Sequence, residues 1–500
     1  MVLQFYNTLG KKKEEFIPLR GKIVRIWTCG LTVYNFGHIG NFRSYIFADI
    51  LRRYLEYKGY DVKQVMNFTD VGHMIQDDIA DSRGQDKMEK AAEREHKTPW
   101  EIADFYIKAF LEDSKTLNLK EPEVRPKATE HIKEMQEIIK KLIDNGYAYV
   151  VNGNVYFEVK KFKDYGKLSG NKIENLQAGA GGRVEENSEK KNPLDFALWV
   201  NDPKHIMKWK SPWGGEGYPG WHIECSAMST KYLGDTFDIH TGGEDNIFPH
   251  HECEIAQTEG ATGKKFVNYW LHARHLLVNG EKMSKSKGNF YTVRDLLAQG
   301  YKPMQIRYAL LSAHYRQPLD FSLDYLKSCG TVIQRFKDFV KRLKEANGKG
   351  TNVDELIKKS EENFEKAMND DLNISDALKA VFDFMHEVNK KIDAKEIGGG
   401  NAQKILKAFN WFDCVLGLNI SKEGNVEDLK EKIIPIYQEI ARTTEVDNKT
   451  AQDMVEHMIA IRKNMREMTE YKEADKIRMK LEKIGIVLED SGKTKWKLKA

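Results

Sequence analysis

Lys22-Ile23-Val24-Arg25-Ile26-Trp27-Thr28 opens the stretch that decides the fold; a helical pattern over 39–58 and then Asp61-Val62-Lys63-Gln64-Val65-Met66-Asn67-Phe68 follow it. The first segment reads as a buried strand. In the second, Phe42, Ile46, Ile50, Leu51, Tyr54 and Leu55 recur at helical spacing, and Gly59 ends the run. The third reads as another strand. A strand–helix–strand unit predicts a parallel sheet with a ligand crevice at the carboxyl ends of its strands. Cys29, His38, Thr69 and Asp70 all fall at that edge.

Working outward, 98–145 reads as mostly helical, and a Gly- and Lys-rich stretch over 152–192 reads as an insertion with turns and a short hairpin. Strand signals return at 236–240 and 268–278. From 328 to 418 the pattern is helical, broken near 348–350 and 398–400; helices follow at 426–443, 449–468 and 471–484, then a short strand from Ile486 to Leu488. The predicted fold class is α/β: a Rossmann-like parallel-sheet catalytic domain with an insertion, a helical domain and a small C-terminal domain. The expected boundaries are 1–112 and 201–275 for the two catalytic halves, 113–200 for the insertion, 276–327 for a lysine-loop region, 328–420 for the helical bundle and 421–500 for the C-terminal domain.

Composition narrows the class. Five hundred residues is too long for one core, and about three domains is the prior. No stretch approaches the roughly 20 apolar residues of a membrane span, and the first 20 residues lack the apolar segment of a secretory signal. A cytoplasmic location is the expectation. Five cysteines (Cys29, Cys225, Cys253, Cys329 and Cys414) form an odd, sparse set, which favours free thiols or metal ligands over a disulfide framework. Net charge is only +4, yet residues 461–500 hold 12 Lys or Arg against 7 Asp or Glu. A basic tail carrying Trp496 suits phosphates and a stacked base.

Two motifs carry the chemistry. Lys282-Met283-Ser284-Lys285-Ser286 sits between Gly280 and Gly288 and suits a mobile phosphate clamp. Gly37-His38-Ile39-Gly40-Asn41 lies at a helix start, where free N–H groups and the dipole favour phosphate. In this order the pair resembles the two ATP-binding signatures of class I aminoacyl-tRNA synthetases. Cys29, Cys225, His250 and Glu254 offer two thiolates, an imidazole and a carboxylate, a set that zinc accepts. The same residues read either as a metal site or as buried, inert cysteines with a surface histidine pair. Pro249 is placed to open a helix, which would put His250 and Glu254 at i and i+4 on one face. Cys253, at i+3, and His251 compete for the same role, and spacing alone does not choose between them.

Over nearly its full length the chain resembles the cysteinyl-tRNA synthetase family. The matching segments are Cys29-Gly30 with Thr32-Val33-Tyr34, His38-Ile39-Gly40-Asn41, Asn67-Phe68-Thr69-Asp70-Val71 and Asp164-Tyr165-Gly166-Lys167-Leu168-Ser169-Gly170. Lys191-Asn192-Pro193-Leu194-Asp195-Phe196-Ala197-Leu198-Trp199, residues 220–228, Phe248-Pro249-His250-His251-Glu252 and 282–286 complete the set. The resemblance implies Cys29, Cys225, His250 and Glu254 as the zinc ligands, and so selects Glu254. The chain departs from the family at Leu31 (often Pro), at Asn41 (often His), at Gly72, His73 and Met74 (often two aspartates and a lysine) and at Cys253 (often Asn).

The resemblance further implies ATP-dependent attachment of L-cysteine to tRNA(Cys) through a cysteinyl-adenylate, with Mg2+ accompanying ATP, one zinc per chain and a monomer. Zinc would read the substrate thiolate, since a serine hydroxyl is a far weaker ligand. Gly37, His38, Gly40 and Asn41 would hold ATP, Lys285 with Lys282 would neutralise the leaving pyrophosphate, and Thr69 and Trp221 would line the amino-acid pocket. Arg462, Arg466, Asp475, Asp490 and Trp496 match charged and aromatic positions of the family's tRNA-binding region. Two other readings share these sites. One is a ligase joining cysteine to an amino-sugar, against which residues 426–500 speak; the other is an idle zinc- or RNA-binding scaffold, against which the intact lysine loop speaks.

Overall fold

The computed structural model describes residues 2–72, 86–172, 189–284, 288–421, 429–446, 449–489 and 495–498. The chain begins with a hairpin of β1 (Gln4–Asn7) and β2 (Lys12–Glu15), and then enters β3 (Ile23–Thr32), α1 (Ile39–Tyr57) and β4 (Asp61–Thr69). β3 is buried along nearly all its length, as a strand covered on both faces of a parallel sheet must be. The predicted strand is therefore present, but it does not end at Cys29; it runs on to Thr32. In α1 the predicted apolar positions Phe42, Ile46, Ile50, Leu51, Tyr54 and Leu55 are all buried.

α2 (Lys87–Glu95), α3 (Pro99–Thr116) and α4 (Ile132–Asp144) come next. α3 starts firmly: Thr98 and Glu101 form a capping box and Pro99 occupies the first turn. A five-stranded antiparallel sheet follows, from β5 (Ala148–Val151), β6 (Asn154–Phe157), β7 (Phe196–Asn201), β8 (Trp209–Lys210) and β9 (Glu216–Pro219), in the order β5-β6-β7-β9-β8. A hairpin forms as β5–β6, whose first strand precedes the 152–192 stretch where one was expected; 173–188 lie outside the described residues. The strands over 196–219 had no sequence signal of comparable strength.

The chain then returns to the parallel layer through α5 (Ile223–Leu233), β10 (Phe237–Gly243), α6 (Glu252–Thr262) and β11 (Val267–Ala273). The parallel order is β11-β10-β3-β4. The chain leaves β3 on one side, to β4, and comes back on the other, to β10. The crevice between the ends of β3 and β10 is thus a topological switch point, where α/β sheets bind ligands. One core joins the two sheets: Trp27, Val65, Phe157, Phe196, Trp199 and Trp270 belong to the same buried cluster.

β12 (Leu276–Val278), β13 (Glu281–Lys282), α7 (Val293–Ala298), α8 (Pro303–Leu311) and β14 (Leu319–Phe321) carry the lysine loop; β12 pairs with both β13 and β14. A bundle of α9 (Leu323–Glu345), α10 (Asp354–Asn369), α11 (Ile374–Asp393) and α12 (Gly399–Leu416) ends the unit Met1–Leu418. Two of the three bundle breaks, 346–353 and 394–398, fall at or beside the predicted glycine-rich points; the third, 370–373, has no glycine and was not expected.

The second unit, Asn419–Ala500, holds α13 (Lys430–Ala441), α14 (Ala451–Glu467), α15 (Tyr471–Lys483) and a hairpin of β15 (Ile486–Glu489) and β16 (Lys495–Leu498). Its own core is Ile433, Tyr437, Met454, Val455, Met458, Ile477, Leu481, Ile486 and Leu488. Among the described residues, no helix is long and apolar enough to cross a membrane.

Candidate metal centre and nucleotide pocket

The site begins at a defect in the sheet. The β3–β4 register shifts between Thr28 and Leu31, a bulge that re-aims side chains. Gly30 permits it: its N–H donates to Asn67 Oδ1 at 2.9 Å, and a Cβ there would fall 1.6 Å from the Asn67 carbonyl oxygen. Cys29 is turned toward α5 and α6. Its Sγ lies 3.9 Å from Cys225 Sγ, 3.3 Å from His251 Nε2 and 3.7 Å from Glu254 Oε1.

Glu254 is fully buried and gathers three imidazoles. His250 Nε2 and His251 Nε2 lie 3.0 Å and 3.9 Å from Oε1, and His240 Nε2 lies 2.9 Å from Oε2. Pro249 opens the helical segment, directly after a kink at Phe248. Phe248 is extended, and from Pro249 a wide helical turn runs on into regular α-helix at Glu252. His250 and Glu254 face each other. Cys253 faces the opposite way, with its sulfur 3.4 Å from the Tyr165 hydroxyl.

Further hydrogen bonds hold the imidazoles. His250 Nδ1 is 2.9 Å from His222 Nδ1, and its ring stacks on Trp221 with centroids 4.7 Å apart. His251 Nδ1 is 2.8 Å from His272 Nε2, and His272 Nδ1 is 2.8 Å from Thr8 Oγ1. The donor atoms of Cys29, His250, His251 and Glu254 all lie within 4.8 Å of one another, so His251 stands in this group where Cys225 was expected. Donors on a tetrahedral zinc stand about 3.3–3.8 Å apart, given metal–ligand bonds of about 2.0–2.3 Å. In donor chemistry, spacing and burial the group fits such an ion.

Charge is balanced within the cluster. Burial pushes the Cys29 thiol up, but the Cys225 hydrogen bond and the charges of His251 and His240 outweigh it and hold Cys29 well below its ordinary range. The hydrogen bond to Cys29, reinforced by burial, pushes Cys225 well above its own. His250 is raised to about 10 and His240 to about 9, because Glu254 and Cys29 overcome the burial that opposes their charge. A divalent cation would replace these protons on the same acidic groups.

Above the cluster opens a cavity of about 470 Å³, lined among others by Cys29, Thr69, Trp221, His38, Asn41 and Lys282. Thr69 Oγ1 donates to Glu224 Oε2 at 3.0 Å. His38 caps α1: its Nδ1 accepts from Asn41 N–H at 3.2 Å, while Asn41 Oδ1 accepts from His38 N–H at 3.0 Å. Since Nδ1 accepts, the neutral ring carries its proton on Nε2. Both side chains thus spend these acceptors on the start of α1.

The two sequence signatures are joined directly. Ile39 N–H donates to Tyr291 O at 3.0 Å, and the His38 and Phe290 rings meet edge to face at 5.3 Å. Asn289 braces the base of the lysine loop, accepting from Ser284 N–H at 2.8 Å and donating to Lys282 O at 3.3 Å. Lys282 is exposed at this mouth, and Lys285 lies outside the described residues.

The remaining expected site residues lie in the C-terminal unit. Arg462 is buried at 2% exposure, Arg466 and Asp475 are exposed, and Trp496 is half-buried against the unit's core. Asp490 lies outside the described residues, as do His73 and Met74. Sequence reasoning missed His222, His240, His272 and Glu244. Glu244 directly follows β10 at the cavity wall and accepts from the backbone of His275 and the side chain of Arg274. The crowding of five histidines between 222 and 272 was the available signal.

Residues 15–331 match the family of tRNA synthetases class I (C) catalytic domains, and 363–420 match the DALR domain. A protein named Cysteine--tRNA ligase from Pyrococcus horikoshii is 44% identical over 511 residues, covering 99% of each chain. Proteins of the same name from Thermococcus onnurineus and Salinibacter ruber are 42% and 43% identical, covering 99% of this chain and 99% and 98% of theirs. Among solved structures, Mycobacterium tuberculosis methionyl-tRNA synthetase in complex with methionyl-adenylate aligns with a TM-score of 0.55 at 15% identity, covering 79% of this chain and 90% of that one; the likeness is one of fold.

Proposed function

This chain belongs to the cysteinyl-tRNA synthetases, a class I aminoacyl-tRNA synthetase family, and from that premise we propose that it joins L-cysteine to tRNA(Cys) at the cavity between β3 and β10. The observation that carries the reading is the convergence of a cluster of thiol, imidazole and carboxylate donors with the two nucleotide signatures on one cavity. Cys29, Cys225, His250 and Glu254 would hold a zinc ion. When bound, that ion supplies a seat that a cysteine thiolate fills strongly and a serine hydroxyl weakly.

The protein's own groups perform the rest. Thr69 and Trp221 line the amino-acid end of the cavity. A carboxylate oxygen of cysteine attacks the α-phosphorus of Mg2+-bound ATP, and pyrophosphate leaves. His38 Nε2–H and the Asn41 amide donate to phosphate oxygens at the start of α1, where the helix dipole adds to their effect. Lys282 and Lys285 neutralise the charge that builds on the leaving pyrophosphate, and the flanking Gly280 and Gly288 let that loop close. In the second step a hydroxyl of the terminal ribose attacks the carbonyl carbon, and AMP leaves. We assign anticodon recognition to the unit Asn419–Ala500, through its exposed Arg466 and Asp475, and a cytoplasmic, monomeric form.

Likeness over 99% of the chain, the C-terminal unit included, favours tRNA over an amino-sugar as acceptor. A second reading concerns the fourth donor. His251 Nε2 is nearer to Cys29 than Cys225 Sγ is, so His251 competes with Cys225 for the ion. The test of the activity is paired: cysteine-dependent ATP–pyrophosphate exchange, and charging of purified tRNA(Cys). Exchange without charging would point to the amino-sugar ligase; no exchange would point to an idle scaffold.

A further inference from the structure

An aromatic ridge runs from the cavity wall to the outer surface. Phe36 lines the cavity. Its ring packs edge to face on Tyr106 at 5.0 Å and on Phe105 at 6.0 Å, and Phe105 meets Tyr106 at 5.0 Å. Tyr106 is buried and faces the core with Ile102, Ile107 and Phe110, whereas Phe105 is turned outward and 45% exposed. Each outer ring carries a cation. Lys97 Nζ stands 4.4 Å from the Phe105 centroid, and the Arg294 guanidinium stands 5.1 Å from that of Phe36. Lys97 also lies 3.5 Å from Glu95, a carboxylate it shares with Arg94 and the Tyr106 hydroxyl, and Arg294 is paired with Glu112 and Asp113.

A single exposed aromatic is ordinary on a protein surface. A half-exposed ring with an ammonium beside it, continuous through two further rings with a nucleotide cavity, is the construction that binds single-stranded nucleic acid: a stacking face with cations for the backbone. Resting on the reading that this cavity charges tRNA, we propose that Phe105, with Lys97, is the stacking platform for the unpaired 3′ end of the tRNA as it enters the cavity past Phe36. The site is complementary to a base and a phosphate, and a duplex would present neither an unstacked base nor a narrow enough strand.

The test uses the full-length, zinc-loaded enzyme. Phe105→Ala should leave cysteine-dependent ATP–pyrophosphate exchange unchanged and raise the KM for tRNA roughly 5- to 10-fold, the loss expected for one stacked base. Phe105→Trp should restore it. A tRNA lacking its four unpaired 3′ nucleotides should compete equally well against wild type and Phe105→Ala, because the contact it would feel is gone. Should Phe105→Ala not fold, Lys97→Glu carries the same expectations of unchanged exchange, raised KM and indifference to the truncated competitor. An unchanged KM, or an equal penalty on the truncated tRNA, overturns the platform while leaving the charging activity standing. A wild-type chain that charges no tRNA removes the premise, and the platform with it.

Discussion

Met283 Cε occupies the space that a side chain at Gly40 would need: a Cβ on Gly40 would fall 2.9 Å from it and 2.9 Å from His38 Nδ1. The glycine of the first signature is thus the seat for the methionine of the second. The two nucleotide motifs, more than 240 residues apart, meet at one missing methyl group.

Gly40→Ala should therefore damage both at once. The new methyl displaces Met283, and it also pushes the His38 ring off the Asn41 N–H. We expect the kcat/KM for ATP in pyrophosphate exchange to fall roughly 10- to 100-fold, about 1.4–2.7 kcal/mol of transition-state binding. Met283→Ala, which only empties the seat, should cost less than tenfold. Equal rates for Gly40→Ala and wild type would refute the contact's importance.

Gly30→Ala tests the bulge. A Cβ 1.6 Å from the backbone oxygen of Asn67 has no flexible side chain to push aside, so β3 and β4 must separate. A loss of at least ~3 kcal/mol is expected, of the order of severe overpacking. It should be read from the denaturant midpoint, with a drop in bound zinc because Cys29 is re-aimed.

Zinc stoichiometry separates the candidate ligands. Cys225→Ser should weaken zinc retention against a chelator at least roughly tenfold, and His251→Asn should leave it near wild type; the reverse ranking would give the fourth position to His251. Cys253→Ser should keep its zinc and lose only about 1 kcal/mol of stability, since its sulfur faces Tyr165.

Lys285→Ala should slow cysteine-dependent exchange at least roughly 100-fold, the scale of losing one charge that acts on the transition state, with zinc content intact. A fall in zinc instead would show that the lysine loop and the metal cluster are not separable in role.

Asp70 makes stability depend on pH. Burial raises its carboxyl from an ordinary 3.8 to about 6, against the opposing hydrogen bonds from Thr129 N–H and Oγ1 at 2.9 Å and 2.6 Å. The folded chain thus holds this proton more tightly than the unfolded chain does. Ionisation opposes folding above pH 6, and the penalty fades as pH falls toward 3.8. Asp70→Asn, neutral throughout, should be more stable than wild type at pH 7.5 by up to ~3 kcal/mol, and by about half of that at pH 5. Denaturant titrations at the two pH values measure the difference. An advantage that does not change with pH would rule out the carboxylate's ionisation as its source.

Local pattern made much of this legible. The β3–α1–β4 unit could be read because burial leaves a period in the residues themselves: continuous in a parallel strand, near 3.6 in a helix. Two breaks in the bundle followed from glycine clusters; the break at 370–373, without a glycine, did not. The strands over 196–219 were not legible, because their burial is supplied by Trp27, Trp270 and α4 from elsewhere in the chain. The histidines at 222, 240 and 272 were passed over for the same reason: each looks ordinary until Glu254 or His250 or His251 is placed beside it.

By itself the sequence determined the α/β class, the β3–α1–β4 unit and the helical C-terminal part, and which residue types were at hand for a phosphate clamp and a metal. Only tertiary structure decided their aim. Successive residues on α6 point about 100° apart, so whether Glu254 or Cys253 meets Cys29 depends on where β3 lies across the core. That position is set by the Gly30 bulge and by side chains more than a hundred residues distant, and no local period records it.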